Sequence, residues 1–115
     1  MAQATFERRV FPREVVIGKL KQALSKLSEQ LPVKCAYLFG SYASGQPKPW
    51  SDVDVAVVSP KFGENIIRDS VFLMKALEET GLMVEPHPYS EEEYNEAAPG
   101  SFLLEEVIHK GIRLV

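Results

Sequence analysis

The sequence is poor in cysteine and histidine and has no long apolar run. One Cys and two His among 115 residues cannot form an internal disulfide or, without other ligand types, a zinc site. Cys35 stands within an apolar run, which favours a small buried residue. The apolar runs fall far short of the roughly 20 residues that a membrane span needs, and residues 1–11 lack the apolar segment of a secretory signal. These absences predict a cytoplasmic protein without membrane association.

Positive charge is not in excess either. Lys and Arg number 13 against 16 Asp and Glu, a formal net charge of −3. Nucleic-acid binding depends on Lys and Arg neutralising phosphates, so a nucleic acid is not an expected partner. The length fits one domain over residues 1–115. Its predicted parts are an N-terminal arm (residues 1–11), a leading helix (residues 12–31) and a core (residues 33–115).

Hydrophobic periodicity alternates between helical and strand spacing along the chain. The leading helix has an apolar stripe that we expect to pack on the domain's own sheet, contact with a partner being the alternative. The stripe consists of Ile17, Leu20, Leu24, Leu27 and Leu31. Two further helices are predicted, at residues 64–80 and after Gly100. The predicted strands cover residues 33–39, 52–58, 82–85 and 112–115. This alternation predicts an α/β fold, with a small mixed β-sheet flanked by helices.

Two acidic residues, Asp52 and Asp54, interrupt a strand that is otherwise apolar. Residues two apart in a strand share a face and lie roughly 6.6 Å apart, so the two carboxylates should point the same way. Unpaired carboxylates on such a strand repel each other and resist desolvation. A divalent cation relieves both penalties, and Mg²⁺ prefers carboxylate, water and phosphate oxygens. The pair therefore favours two metal ions about 3.5–4 Å apart acting at phosphorus; the alternative is the exposed edge of a structural strand.

Gly40 and Ser41 follow the preceding predicted strand, where a short helical turn is expected. Glycine lets the backbone approach a phosphate closely, and a helix start offers free N–H groups. Ser41 adds a hydroxyl donor. A phosphate-binding turn beside a metal-binding strand is what transfer from a nucleoside triphosphate requires, although each motif alone is also compatible with an ordinary turn or strand.

The sequence contains Gly40-Ser41, then ten further residues, then Asp52-Val53-Asp54. This pattern resembles the signature of the polymerase-beta-like nucleotidyltransferase superfamily. The likeness extends through residues 39–45, 49–54 and 85–88 and is nearest to the minimal, single-domain prokaryotic members. The resemblance implies that the triphosphate, expected to be ATP, binds through Gly40, Ser41 and Ser51. It implies further that two Mg²⁺ ions are held by the catalytic residues Asp52, Asp54 and Glu85. Glu85 stands where the family pattern most often has Asp.

Minimal relatives of this kind are commonly encoded beside a helical HEPN-domain protein, with which they form toxin–antitoxin pairs. The resemblance therefore implies a protein adenylyltransferase that transfers AMP from ATP to a tyrosine hydroxyl of a HEPN toxin and so acts as an antitoxin. The alternative is a catalytically weak module that neutralises its partner by binding alone. The sequence leaves homo- and hetero-oligomers open. His87, between two prolines, is interpreted as a turn residue, with a ligand role as the alternative.

Overall fold

Four strands form one mixed sheet. They are β1 (Cys35–Phe39), β2 (Val53–Ser59), β3 (Val84–Ser90) and β4 (Ile112–Arg113). The computed structural model describes residues 10–115, and most of the predicted arm lies outside these. The strand order is β3-β2-β1-β4. β2 pairs in parallel with β3, whereas β1 pairs antiparallel with both β2 and β4, so β3 is an edge strand.

Helices cover both faces of this sheet. They are α1 (Arg13–Leu27), α2 (Ser41–Ser44), α3 (Ile66–Ala76), α4 (Glu91–Asn95) and α5 (Leu103–His109), the last wound as a π-helix. α1 and α3 pack on one face, and α5 packs on the other. The predicted α/β class, a small mixed sheet flanked by helices, is confirmed. Within residues 10–115, none of the helices has both the length and the apolar character to cross a bilayer.

β2 divides its side chains between the two faces by strict alternation. Val53, Val55 and Val57 are buried against α1 and α3, as the sequence predicts. Ala56 and Val58 are buried on the opposite face, in the cluster that α5 covers. Asp54 lies on this second face because residues two apart in a strand point the same way.

Cys35 lies on β1 and is completely buried. Burial raises the pKa of its thiol, because desolvation disfavours the thiolate. A buried thiol that stays protonated is unreactive. The interpretation of Cys35 as a small core residue is therefore confirmed.

The apolar face of α1 is part of the domain's own core. Leu20, Leu24 and Leu27 are buried in the cluster that includes β1 and β2, so the stripe packs on the sheet as predicted. The helix ends at Leu27 and not at residue 31. Ser28 Oγ donates a hydrogen bond to Ser25 O at 2.7 Å, and such local side-chain bonds compete with helix continuation.

α3 forms where a helix is predicted, but of the apolar repeat that predicts it, Ile67, Val71, Met74 and Leu77, only Leu77 is buried. Leu73 is completely buried and contributes to the core. Ile67, Val71 and Met74, three members of the repeat, are 75%, 47% and 54% exposed. The helix therefore presents an apolar surface to solvent, which helical spacing alone does not reveal.

β3 continues through a segment that the sequence indicates to be a turn. The predicted strand stops at residue 85, but β3 extends to Ser90 through Pro86 and Pro88. Proline lacks an N–H donor and is tolerated in strands mainly at sheet edges, where β3 lies. The interpretation of His87 as a turn residue is therefore wrong, because His87 is within the strand and pairs with Ala56.

Core packing of α1 can be tested by truncation. Leu24→Ala should lower the free energy of unfolding by roughly 2–5 kcal/mol, because it leaves a cavity between helix and sheet. Val15, on the exposed side of α1, is the control, and Val15→Ala should change stability by at most about 0.5 kcal/mol. Urea unfolding of the isolated chain measures both values. Equal, small effects would contradict the packing of α1 on the sheet.

Candidate active site

The predicted acidic residues of β2 and β3 meet at one end of the sheet. Asp54 is the second residue of β2, and it pairs with Phe39, the last residue of β1, on one side and with Glu85 of β3 on the other. Paired residues on neighbouring strands have side chains on the same face. The parallel pairing therefore sets the carboxylates of Asp54 and Glu85 side by side.

His87 completes a three-residue cluster with these carboxylates. Its Nε2 lies 3.3 Å from Asp54 Oδ1 and 3.8 Å from Glu85 Oε2. One ligand atom from each of the three residues lies within 4.8 Å of both others. The sequence contains a signal for this arrangement, since Glu85 and His87 are two apart and would share a face of any strand, but the flanking prolines hide the strand.

The spacing of this cluster fits a single divalent cation. Ligands to such ions bind at roughly 2.0–2.2 Å, so neighbouring donors around one ion are roughly 3–4 Å apart. The two measured separations from His87 Nε2 fall in that range. All three side chains are accessible, that of Glu85 most of all, so an ion and substrate can reach the cluster. Asp54, Glu85 and His87 are therefore a chemically suitable metal centre.

Gly40 brings the end of β1 directly against this cluster. Its backbone has φ 78° and ψ −151°, a combination that essentially only glycine adopts. A Cβ atom at this position would collide with Asp54 Oδ2 and would lie 3.2 Å from Asp54 Cγ. The absence of a side chain thus allows the backbone of the predicted phosphate-binding turn to contact the predicted metal ligand.

Ser41 and Ser51 occupy the two ends of the connection between β1 and β2. Ser41 is the first residue of α2, immediately after Gly40. Ser51 Oγ accepts a hydrogen bond from Lys48 N at 2.9 Å, which closes the turn before β2. Ser41 therefore adjoins the cluster through Gly40, whereas the observed contact of Ser51 is structural. Nucleotide binding by both residues stays a prediction.

Asp52 lies just before β2 and is exposed. It is not in the group of three ligand residues. Instead it borders a groove of about 380 Å³, together with Met83 and Glu85. This groove lies between the end of α3 and the start of β3 and is lined mostly by apolar side chains, including Met74 and Leu77. Metal binding by Asp52 stays a prediction. Glu85 belongs both to the three-residue cluster and to the lining of the groove.

Comparison with known proteins identifies the family of this chain. Residues 17–109 match the family model described as the nucleotidyltransferase domain. The chain belongs to this family and is therefore a transferase of nucleotidyl groups. Members of the family generally use divalent metal ions, which agrees with the ligand cluster around Asp54.

Solved structures share the fold, and one example illustrates the likeness. It is the crystal structure of a proposed nucleotidyltransferase from Sulfolobus solfataricus, which is 22% identical in sequence, with a TM-score of 0.56. The match covers 72% of this chain and 74% of that chain. At this identity the likeness shows the common fold alone. The comparison with curated proteins found no match.

The contact between Gly40 and Asp54 can be tested with Gly40→Ala. The substitution should destabilise the chain and weaken Mg²⁺ binding about tenfold or more, because the new methyl group displaces the Asp54 carboxylate. Gly81 is the control, since it also has a positive φ but open space around the Cβ position. Gly81→Ala should cost roughly 1–2 kcal/mol and leave Mg²⁺ affinity unchanged. Urea unfolding and calorimetric titration provide the two readouts; equal Mg²⁺ affinities in both variants would contradict the proposed contact.

Proposed function

We propose that this protein is a cytoplasmic Mg²⁺-dependent adenylyltransferase that transfers AMP from ATP to a hydroxyl group of a partner protein. The observation that carries the proposal is the meeting of Asp54 and Glu85 at the sheet end where Gly40 contacts Asp54. Two adjacent carboxylates suit a metal-bound phosphate, and the missing side chain of Gly40 lets the backbone of the turn approach Asp54 closely. Family membership supports the transfer of a nucleotidyl group.

In the proposed function, the triphosphate binds at the loop between β1 and β2. The backbone at Gly40 and the hydroxyl of Ser41 hold the phosphates, with Ser51 at the other end of the loop. Asp52, Asp54 and Glu85 would hold the two Mg²⁺ ions, which would supply charge stabilisation at the reacting phosphate. Asp52 is suited to a position shared with the nucleotide because it is exposed beside the groove.

The transfer is a displacement at the α-phosphorus of ATP. The acceptor hydroxyl oxygen forms a bond to this phosphorus, the bond to the bridging oxygen of the β-phosphate breaks, and pyrophosphate leaves. Glu85 takes the hydroxyl proton. This role suits Glu85 because its carboxylate is about half exposed and borders the groove through which an acceptor can approach.

A partner protein is the proposed source of the acceptor. The exposed Ile67, Val71 and Met74 of α3 form an apolar surface, and Met74 also lines the groove that leads to Glu85. Contiguous exposed apolar surface is typical of protein–protein contact sites. By resemblance to minimal family members, the partner is a HEPN-domain toxin and the acceptor is one of its tyrosine hydroxyls. Modification of the toxin would give this protein an antitoxin role.

The second candidate function is a module that neutralises the partner by binding alone. The α3 surface favours it, because this surface would hold a partner whether or not chemistry follows. Glu85 also favours it, because its side chain is one methylene longer than the Asp typical of the family pattern. The two functions differ in one measurable product, the AMP group covalently attached to the partner.

The catalytic proposal is tested by label transfer from ATP labelled at the α-phosphate. The protein is incubated with Mg²⁺ and with a HEPN-domain protein as the candidate partner. Asp54→Asn should lower the transfer rate roughly 100-fold or more, since loss of metal-dependent charge stabilisation costs several kcal/mol. Glu29→Gln, which removes an exposed charge beyond the end of α1, should transfer at the wild-type rate. Partner binding without any label transfer by the wild type would support the binding module instead.

The α3 surface is tested by replacing Ile67 and Val71 with Gln. Both variants should keep wild-type stability within about 0.5 kcal/mol because the side chains are exposed. Each should weaken the complex with the candidate HEPN-domain partner about tenfold or more, because apolar contact anchors the proposed interface. Val15→Gln, an equivalent change on the exposed side of α1, serves as the control. Unchanged affinity in all three variants, measured by surface plasmon resonance, would place the partner elsewhere.

A further inference from the structure

His87 differs in chemical type from the carboxylates beside it. Carboxylate oxygens suit Mg²⁺, Ca²⁺ and Mn²⁺, whereas imidazole nitrogen suits transition ions such as Zn²⁺, Fe²⁺ and Ni²⁺. His87 Nε2 is the ring atom that faces both Asp54 Oδ1, at 3.3 Å, and Glu85 Oε2, at 3.8 Å. The nitrogen thus lies where a third ligand to the same ion would lie.

The position of the His87 ring is fixed by its surroundings. The backbone of His87 is paired with Ala56 in the sheet, and Pro88, which follows it, restricts the His87 backbone to the extended region. The ring of Phe39 meets the imidazole edge to face, with ring centroids 4.8 Å apart and an interplanar angle of 66°. Only 25% of the His87 side chain is exposed. A ring held in this way loses little conformational entropy when it binds an ion.

We propose that His87 is a metal ligand that gives the position shared with Asp54 and Glu85 a preference for divalent transition ions over Mg²⁺. The inference deepens the proposed function and rests on it for the role of the ion in transfer. Asp52 and the triphosphate would offer the second ion oxygen donors only, which suit Mg²⁺. His87 is in this way a specificity-determining residue for one of the two ions.

The proposal is tested by calorimetric titration of the nucleotide-free chain with Co²⁺ and, separately, with Mg²⁺. The wild type should bind Co²⁺ at least tenfold more tightly than Mg²⁺. In His87→Gln, an amide oxygen replaces Nε2, so Co²⁺ affinity should fall tenfold or more while Mg²⁺ affinity changes less than about twofold. An unchanged ratio of the two affinities in His87→Gln would overturn the proposal.

His109 provides the matched control, since it is the other histidine of the chain. Its Nδ1 contacts Glu105 on α5 at 3.4 Å, and 58% of its side chain is exposed. His109→Gln should keep the wild-type ratio of Co²⁺ to Mg²⁺ affinity. A fall of that ratio in His109→Gln as large as in His87→Gln would assign the preference to non-specific histidine binding and would also overturn the proposal.

Proton NMR of the Co²⁺-loaded wild type gives an independent readout that requires no variant to fold. An imidazole bound through Nε2 keeps its Nδ1–H, which should give one strongly shifted, solvent-exchangeable resonance. Its absence would overturn the proposal. Neither measurement contains ATP or an acceptor, so the result is separate from the label-transfer test. Nitrogen ligation without AMP transfer would leave this inference standing and remove the proposed function.

Discussion

The parallel pairing of β2 with β3 sets Asp54 beside Glu85, and the rest of the site depends on this pair. Two like charges side by side are unfavourable unless a positive charge lies close to both. His87 faces both carboxylates, and a divalent cation would satisfy all three residues. Gly40 depends on the same pair, because its missing side chain leaves space for the Asp54 carboxylate. Asp54, Glu85 and His87 thus form one group of interacting polar side chains at the end of the sheet.

The two faces of the sheet serve different purposes at this end. The valines of β2 face α1 and α3 and supply burial, which stabilises the strands without any polar group. The opposite face is covered by α5 around Ala56 and Val58, and this cover ends before Asp54, which stays partly accessible. A rigid apolar layer therefore supports a polar site open to solvent. Glu85 at this end also borders the groove that Met74 of α3 lines.

Much of the candidate site could be predicted because its spacing is local. Alternation within β2 separates the valines from Asp54, and a glycine after β1 indicates a turn that needs a positive φ. His87 could not be predicted as a site residue, because prolines on both sides are typical of turns. Their tolerance depends on β3 being an edge strand, which is a property of strand order. A common site for Asp52 and Asp54 stays a prediction from their spacing, and Asp52 borders the groove beside Glu85.

Periodicity and motif spacing act over a few residues, so the α/β class, the order of the main helices and strands and the signature through Gly40, Asp52 and Asp54 follow from the sequence alone. That His87 faces Asp54 and that α3 leaves Ile67 and Val71 exposed is visible only in the folded chain. Both facts depend on which elements become neighbours. Strand order and helix rotation are settled by packing of the whole core, where residues distant in the chain compete for the same buried space.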